Sequence, residues 1–537
     1  MTAKNNDDTI HSIVIVGGGA AGWLTAAIIA AEHNLPNNPA LNVTLVESPD
    51  VKILGVGEGT WPTMRDTLRK IGIDETTFLL ACDGSFKQGT RFINWRTEAT
   101  DSTVQDVFDH PFGLPAGFFD TDMAAWWLLN QEANPLNNGE FSTLVSTQTS
   151  LCDHFKAPKQ LQTPAYAAVA NYGYHLNAHK FAELLKNHSI NSLGVTHTLA
   201  HIEKVQVDSN DNIIALESTA KNGESSLIKG DLFIDCSGFA AKLIQGHYQQ
   251  AITPVSSGLK NDSAIAVQAN YAHEQGPIAS ATYSTAHSHG WLWDIGLPSR
   301  KGVGCVYSSQ YCDEDTAICT LLNYLDKDPS TAPVDTAALR KITFTPGYRK
   351  QPWVNNCVAI GTSAGFVEPL EASALVMVEL SAKYVAEYLP ATKTLARQMA
   401  KHFNSSFSQR WQRIIDFLKL HYVLSERTDT EYWRVMRDQA TASEQLNDWL
   451  AQWQHRPVAI GDFIYAQELF PAASYMYILY GMQRQPKTAL NKARYTSEKL
   501  NAAQLAVKQN QQRTLQQLSA LPTNREYINA MRHRAGL

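Results

Sequence analysis

Residues 13–22, which read IVIVGGGAAG, decide the fold of this 537-residue chain. Four consecutive β-branched residues predict a buried parallel strand. Gly17, Gly19 and Gly22 then match the pattern G-x-G-x-x-G, in which glycines allow a tight turn, close approach of a pyrophosphate and close packing of the next helix. The alanine-rich residues 24–31 predict that helix, and its N-terminus would bind the pyrophosphate.

A second strand of the same unit is predicted at residues 43–46, and it ends in Glu47. A carboxylate at the end of this strand accepts hydrogen bonds from the ribose hydroxyls of an adenosine. Strand, glycine turn, helix, strand and terminal acid together favour a dinucleotide-binding fold over a glycine-rich turn without a ligand. This stretch alone leaves FAD and NAD both open.

Composition and charge exclude several classes of function. The formal net charge of -6 argues against a protein that binds nucleic acid or an anionic membrane. Seven cysteines without a C-x-x-C pair suit reduced thiols and predict no metal site. The N-terminus is polar and acidic, unlike a signal peptide, and no run of about 18 apolar residues follows. We therefore expect a cytoplasmic protein that acts on a small uncharged substrate.

Two later segments favour FAD over NAD. Residues 229–238, KGDLFIDCSG, resemble a strand and turn of flavoproteins of the glutathione-reductase and aromatic-hydroxylase type, and residues 360–365, IGTSAG, resemble their late flavin contact. Thr362 stands where those proteins often have Asp, so the ribityl contact is expected to differ. No second G-x-G-x-x-G follows a strand between these segments. We therefore expect FAD that arrives reduced, as FADH2, from a separate flavin reductase.

Five further segments together resemble the tryptophan halogenase family of flavin-dependent enzymes. They are residues 55–62 (GVGEGTWP), 85–89 (SFKQG), 110–113 (HPFG), 291–295 (WLWDI) and 366–374 (FVEPLEASA). The resemblance extends from Ile13 to about Trp433. The sequence departs from the family pattern at Ala372, where a Ser is usual, and after W-x-W-x-I, where the next Pro is delayed to Pro298.

The resemblance implies a fold and an activity. The fold would be α/β with an α-helical C-terminal part: a Rossmann-like flavin-binding unit with mixed sheets over residues 8–394 and a helical substrate-covering region over residues 395–537. The activity would be FADH2-dependent halogenation of an electron-rich, indole-type aromatic, using O2 and chloride or bromide by way of hypohalous acid. Lys87 would deliver the halogen, either by hydrogen-bonding hypohalous acid or as a haloamine. Glu371 would stabilise the cationic ring and accept its proton.

The remaining site residues follow from the same resemblance. Backbone N–H groups of Ser373 and Ala374, at the start of a helix, would bind the halide ion. His110 and Phe112 would line the substrate site. Trp291 and Trp293, on one face of a strand, would wall the reacting cavity. The predicted FAD contacts are Gly17, Gly19, Ala20, Ala21, Gly22, Glu47, Gly57, Gly361 and Gly365.

Substrate identity is the least determined feature. Residues 463–477 lack the Tyr-Tyr, Glu and Trp arrangement of tryptophan-specific members, which predicts against free tryptophan and for indole, another indole derivative, a pyrrole or a phenol. Two other functions stay open: a flavin monooxygenase that hydroxylates an aromatic ring, and a non-catalytic flavoprotein. The sequence also leaves open the choice between chloride and bromide and the formation of a homodimer.

Overall fold

The computed structural model describes residues 8–35, 38–39, 41–51, 57–98, 106–133, 140–465, 468–484, 486 and 490–537. Residues 55 and 56 of the predicted flavin-side segment lie outside these ranges. The helices of the described chain are α1 Ala20–His33, α2 Thr63–Ile71, α3 Glu75–Ala81, α4 Met123–Ala133, α5 Phe141–Val145, α6 Gln148–Asp153, α7 Ala178–Leu193, α8 Glu314–Asp326, α9 Ser373–Glu387, α10 Lys393–Leu424, α11 Glu431–Met436, α12 Glu444–Trp453, α13 Ala472–Gly481, α14 Ser497–Ala520 and α15 Asn524–Arg534.

The strands, in chain order, form one eight-stranded sheet, one seven-stranded sheet and three small sheets among the described residues. They are β1 Ser12–Val16, β2 Asn34–Leu35, β3 Asn38–Pro39, β4 Asn42–Glu47, β5 Gly57–Gly59, β6 Ser85–Lys87, β7 Gly89–Ile93, β8 Val107–Pro111, β9 Gly173–Asn177, β10 Thr196–Val207, β11 Ile213–Ala220, β12 Ser225–Lys229, β13 Leu232–Asp235, β14 Thr253–Pro254, β15 Ser263–Asn270, β16 Thr282–His287, β17 Gly290–Gly296, β18 Arg300–Tyr307, β19 Arg340–Thr343, β20 Gly347–Tyr348, β21 Trp353–Val354, β22 Cys357–Ala359 and β23 Gly365–Phe366.

The eight-stranded sheet carries the predicted dinucleotide unit. Its order is β12-β11-β10-β4-β1-β13-β22-β21, and β1 pairs in parallel with both β4 and β13. Ile13 and Ile15 pack into the main core beside α1, whereas Val14 and Val16 pack into a second cluster on the other face. Both faces of β1 are therefore buried, which explains its unbroken β-branched sequence. The predicted Rossmann-like fold with mixed sheets is confirmed.

The seven-stranded sheet carries two of the five family segments, those at residues 110–113 and 291–295. Its order is β19-β15-β18-β17-β16-β7-β8, so β17 and β8 belong to one sheet. On β17, Trp291 and Trp293 face the main core, whereas Leu292 packs on the opposite side beneath α8. The small sheet β5-β9-β6 ends at Lys87, and β7 starts only two residues later. Lys87 therefore lies where the small sheet meets the seven-stranded one.

The C-terminal part is helical, as predicted. The long helix α10 starts at Lys393 and packs against α9 and β21, while α15 packs against β6. One hydrophobic core runs from Ile10 to Met531 and includes residues from both sides of the predicted 394/395 boundary. The division into two regions stays a prediction. None of the described helices combines the length and hydropathy needed to cross a membrane.

Candidate active site

Lys87 is buried yet unpaired. Its side chain is 1% exposed, and among the described residues its ammonium has no hydrogen-bond acceptor and no carboxylate within ion-pair distance. Its Nζ lies 5.4 Å from the centroid of the Phe112 ring. Burial lowers the pKa of Lys87 from 10.5 to about 8, against the opposing attraction of Glu371. Both the ammonium and the neutral amine are therefore accessible near neutral pH.

Glu371 lies on a strained turn just before α9. Its φ is 65° and that of Ala372 is 54°, two consecutive left-handed residues that are not glycine. Each costs roughly 1–2 kcal/mol relative to ordinary backbone. Trp61 supports the turn because its Nε1–H donates a hydrogen bond of 2.8 Å to the carbonyl oxygen of Glu371. Strain held in this way is typical of functional sites.

Two histidines hold the Glu371 carboxylate. Nδ1 of His110 lies 2.8 Å from Oε1, and Nε2 of His421 lies 3.3 Å from the same oxygen. The Thr90 hydroxyl donates to Oε2 at 3.4 Å. Burial alone would raise the pKa of Glu371, but His110 and His421 hold it well below its usual range. Glu371 is therefore an ionised carboxylate in a buried site.

The histidines have further partners that fix their rings. Nε2 of His110 lies 2.9 Å from the Ser474 hydroxyl on α13, and Nδ1 of His421 lies 2.8 Å from the Phe417 carbonyl. A carbonyl only accepts, so Nδ1 of His421 carries a proton and the ring donates to Glu371 only when doubly protonated. His421, Thr90 and Ser474 are not predicted from the sequence. Each is a single polar residue, and no spacing rule links it to Glu371.

A cavity of about 240 Å³ is lined by both predicted catalytic residues and by Gly57, a predicted FAD contact. Its walls are almost entirely apolar and include Trp291 and Trp293. The charged lining residues among those described are Glu58, Lys87 and Glu371. Burial raises the pKa of Glu58 to about 7; the sequence assigns it no role. The lining includes Gly57, Glu58, Gly59, Lys87, Thr90, Phe239, Trp291, Trp293, Ile295, Thr362, Phe366, Glu371, Ala372 and Ala374.

The predicted substrate residues lie next to this cavity rather than in its wall. Neither His110 nor Phe112 is among the residues that line it. Lys87 lines the cavity and also contacts Phe112, while Glu371 lines it and binds His110. Lys87 and Glu371 therefore stand at the border between the cavity and the predicted substrate site. The roles of His110 and Phe112 toward a substrate stay predictions.

The glycine turn fits a dinucleotide. Gly17 has φ 123°, and an added Cβ would lie 2.2 Å from the Cys236 carbonyl oxygen. A Cβ on Gly22 would lie 1.8 Å from the Gly17 carbonyl oxygen, so both positions need glycine. Helix α1 starts after Gly19 without a side-chain cap, and the space beside Gly19 is open. The N–H groups at the start of α1, from Ala20 and Ala21 onward, are thus available to a pyrophosphate.

The other predicted FAD contacts have mixed surroundings. The Glu47 carboxylate ends β4 and accepts from Lys186 Nζ at 3.0 Å and His197 Nε2 at 2.9 Å. Gly361 packs closely on α1, and Gly365 packs on Tyr348. The contacts of these residues to FAD stay predictions.

The predicted halide site lies at the N-terminus of the 15-residue helix α9. This end has no side-chain cap, because its N-cap residue is Ala372. Ala374 lines the cavity, and Ser373 is buried beside it. An uncapped helix N-terminus at an apolar cavity suits a small anion. Among the described residues, no group of three or more His, Cys, Asp or Glu side chains could hold a metal ion.

Comparison with known proteins agrees with this geometry. A family model described as tryptophan halogenase matches residues 12–498. Tryptophan 7-halogenase RebH of Lentzea aerocolonigenes is 32% identical over 437 residues, which cover 80% of this chain and 79% of that protein. The range that the family model matches includes the glycine turn and both predicted catalytic residues.

Solved structures are similar over nearly the whole chain. A tryptophan halogenase from Shewanella frigidimarina NCIMB 400 superposes with a TM-score of 0.91 at 44% identity, covering 97% of this chain and 98% of that one. BrvH, a flavin-dependent halogenase from Brevundimonas sp. BAL3, superposes with a TM-score of 0.83 at 30% identity, covering 98% of this chain and 100% of that one. The similarity therefore includes the C-terminal helices as well as the flavin-binding unit.

Proposed function

Because the chain belongs to the tryptophan halogenase family, we propose that Lys87 and Glu371 carry the halogenation of an electron-rich, indole-type aromatic ring. The chain is a flavin-dependent halogenase that uses FADH2 and halide, with a separate flavin reductase as the source of FADH2. The observation that carries the assignment of residues is one apolar cavity: a free buried amine and a buried ionised carboxylate line the same space.

The cofactor end of the cavity would be formed by the glycine turn and the start of α1. Bound FADH2 would supply two electrons to O2, so that one oxygen atom oxidises the halide to hypohalous acid and the other leaves as water. Ser373 and Ala374 would hold the halide through backbone N–H groups. The apolar walls exclude water, so that hypohalous acid would be retained in the cavity rather than diluted into solvent.

Lys87 would act on hypohalous acid in one of two ways. Its ammonium would donate a hydrogen bond to the hypohalous oxygen and draw electron density from the oxygen–halogen bond. Alternatively, its neutral amine would form a nitrogen–halogen bond, with the amine proton and the hydroxyl group leaving as water. A pKa lowered to about 8 by burial supports both forms. In each case the halogen is delivered as an electrophile.

Glu371 would complete the substitution. Attack by the ring on the electrophilic halogen forms a carbon–halogen bond and leaves a cationic ring. The Glu371 carboxylate stabilises that cation and then accepts the ring proton, so that the carbon–hydrogen electrons restore aromaticity. His110 and His421 keep the carboxylate ionised and correctly oriented for this step. A monooxygenase would have no need for this arrangement beside a free lysine.

The contacts of the C-terminal helices support an uncharged substrate. Glu468, the carboxylate in the stretch where tryptophan-specific members bind the amino acid, lies 3.8 Å from the Arg413 guanidinium. Tyr475 is 1% exposed and packs among aromatic rings, and the Tyr477 hydroxyl donates to the Gly113 carbonyl at 3.0 Å. Tyr475 and Tyr477 are therefore occupied by packing and hydrogen bonding within the protein, and Glu468 faces Arg413. We therefore propose indole, or a similar ring without an amino-acid group, as the substrate class.

Product analysis tests the proposal. Purified protein is supplied with FAD, flavin reductase, NADH, O2, bromide and either indole or free tryptophan, and products are identified by mass spectrometry. We expect brominated indole from the wild type, less product from free tryptophan, and none from Lys87→Ala with FAD binding preserved. Lys204→Ala, on the exposed side of β10, is the matched control. Hydroxylated product without bromine would instead establish the monooxygenase alternative, and a preference for free tryptophan would refute the substrate class.

A further inference from the structure

Glu368 is a buried carboxylate that does not line the cavity but binds its wall. Its side chain is 1% exposed. Its Oε2 accepts a hydrogen bond of 2.7 Å from Nε1–H of Trp291 and one of 2.8 Å from the Tyr422 hydroxyl. The Asn261 amide donates to the same oxygen. Three donors converge on one oxygen, and one of them belongs to a tryptophan of the cavity wall.

The groups around Glu368 anchor it to the C-terminal helices. Tyr422 belongs to α10, and Tyr432 of α11 donates its hydroxyl to Oδ1 of Asn261 at 3.1 Å. Burial raises the pKa of Glu368, whereas the Trp291, Asn261 and Tyr422 donors oppose that rise. This is a connected polar network inside a hydrophobic core, and such networks fix one arrangement of the groups they join.

Glu368 also belongs to the segment that carries the proton acceptor. Glu371 follows it by three residues, at the strained turn. One indole N–H, from Trp291, binds the Glu368 side chain, and a second, from Trp61, binds the Glu371 carbonyl. Tryptophan side chains thus hydrogen-bond to both the first and the last of residues 368–371. The position of the Trp291 wall and that of the Glu371 turn are therefore set by the same four residues.

We propose that Glu368 is a positioning residue that fixes the Trp291 indole against the Glu371 segment and so keeps hypohalous acid on its path to Lys87. This inference rests on the proposed function. Without the hydrogen bond, the Trp291 ring would lose the polar contact that sets its orientation in the wall. Hypohalous acid would then escape into solvent before it reached the substrate.

The first experiment reads the position of Trp291 without any turnover. Protein is labelled with 5-fluorotryptophan, and the fluorine resonance absent from Trp291→Phe is assigned to Trp291. We expect Glu368→Gln to shift or broaden this resonance, since a neutral amide oxygen is a weaker acceptor for the three donors than a carboxylate oxygen, and the amide places a donor group where Oε1 stands. Glu379→Gln is the matched control: Glu379 is also 1% exposed and accepts hydrogen bonds from threonine hydroxyls away from Trp291. A Trp291 resonance in Glu368→Gln identical to that of the wild type would overturn the inference.

The second experiment measures leakage. A soluble β-diketone that reacts with free hypobromous acid is added to the halogenation assay, and its bromination is compared with that of the substrate. We expect the ratio of leaked to transferred bromine to rise about tenfold in Glu368→Gln, as for replacing a hydrogen bond to a charged group by one to a neutral group. Trp291→Phe, which removes the same bond from the other side, should give a similar rise, and the double variant no further one.

The outcomes separate this inference from the proposed function. A leakage ratio in Glu368→Gln and Trp291→Phe no higher than in Glu379→Gln would refute the positioning role while leaving halogenation intact. If the wild type brominates neither substrate nor trap, the proposed function fails, and the fluorine resonance alone decides whether Glu368 holds Trp291. Should Glu368→Gln not fold, Asn261→Ala, which removes a buttress of the same carboxylate, is expected to move the Trp291 resonance; an unmoved resonance refutes the role.

Discussion

Lys87→Met should inactivate the enzyme and make it more stable. Burial lowers the pKa of Lys87 from 10.5 to about 8, so the charged ammonium is less favourable in the folded protein than in the unfolded chain. That fall corresponds to ~3 kcal/mol, at about 1.36 kcal/mol for each tenfold change in the protonation equilibrium. Methionine has a similar length and no charge to desolvate. The reactive amine would thus be maintained at the expense of stability, as at many active sites.

The pH dependence gives the prediction its sign. Below pH 8 the lysine is protonated in both the folded and the unfolded chain, and the full ~3 kcal/mol destabilises the wild type. As the pH rises from 8 to 10.5 the folded lysine is already neutral and the penalty falls, to ~1.5 kcal/mol at pH 9.5. For 537 residues the entropy of unfolding is about 1.1 kcal/mol/K. Lys87→Met should therefore raise Tm by about 3 °C at pH 7 and about 1 °C at pH 9.5.

Calorimetry without added flavin measures this difference, since bound ligand would itself raise Tm. Lys204→Met, at an exposed position of β10, controls for the loss of a lysine as such and should leave Tm unchanged. A variant no more stable than the wild type at pH 7 would show that burial of the Lys87 charge does not destabilise the protein. A gain of the same size at both pH values would assign it to packing instead.

Three further substitutions have defined outcomes. His421→Phe removes one of the groups that hold the pKa of Glu371 low, so the acid limb of the kcat profile should move to higher pH; an unmoved limb would exclude His421 from this role. Gly59→Ala places a methyl 3.1 Å from Lys87 Nζ and should lower the halogenation rate about tenfold with FAD affinity preserved, as measured by product formation and flavin titration. Gly361→Ala, at φ 79° and with its methyl 2.9 Å from a side chain of α1, should lower Tm by about 1–2 °C and weaken FAD binding.

Much of this molecule is readable from its sequence because its signals are local. The β-branched run of β1 and the glycines after it predict the dinucleotide turn, since the strand, the turn and the helix follow one another directly in the sequence. Gly22 meets the Gly17 carbonyl oxygen within this unit, whereas the contact that requires glycine at position 17 comes from Cys236. The alternation of Trp291, Leu292 and Trp293 likewise predicts which rings face the cavity.

The surroundings of Glu371 are not readable in that way. Its partner His421 comes 50 residues later in the sequence, in α10, and its partner His110 comes 261 residues earlier, in β8. In the sequence, His421 is a single histidine in a hydrophobic helix, which is most often a satisfied core residue. Glu371 and Glu368 precede α9, where acids usually serve the helix dipole. Only tertiary packing places Glu371 beside two histidines and Glu368 beside the Trp291 indole.

The absence of a direct ion pair between Lys87 and Glu371 has a chemical consequence. A carboxylate in contact with the ammonium would raise the pKa of Lys87 and occupy one of its donors. Here the Glu371 carboxylate contacts His110 and His421 instead, so Lys87 feels its attraction but keeps all its N–H groups free. The left-handed turn at residues 371–372 directs the carboxylate to those histidines. We therefore interpret the backbone strain of that turn as serving to keep the Glu371 carboxylate out of contact with the Lys87 amine, although both groups line one small cavity.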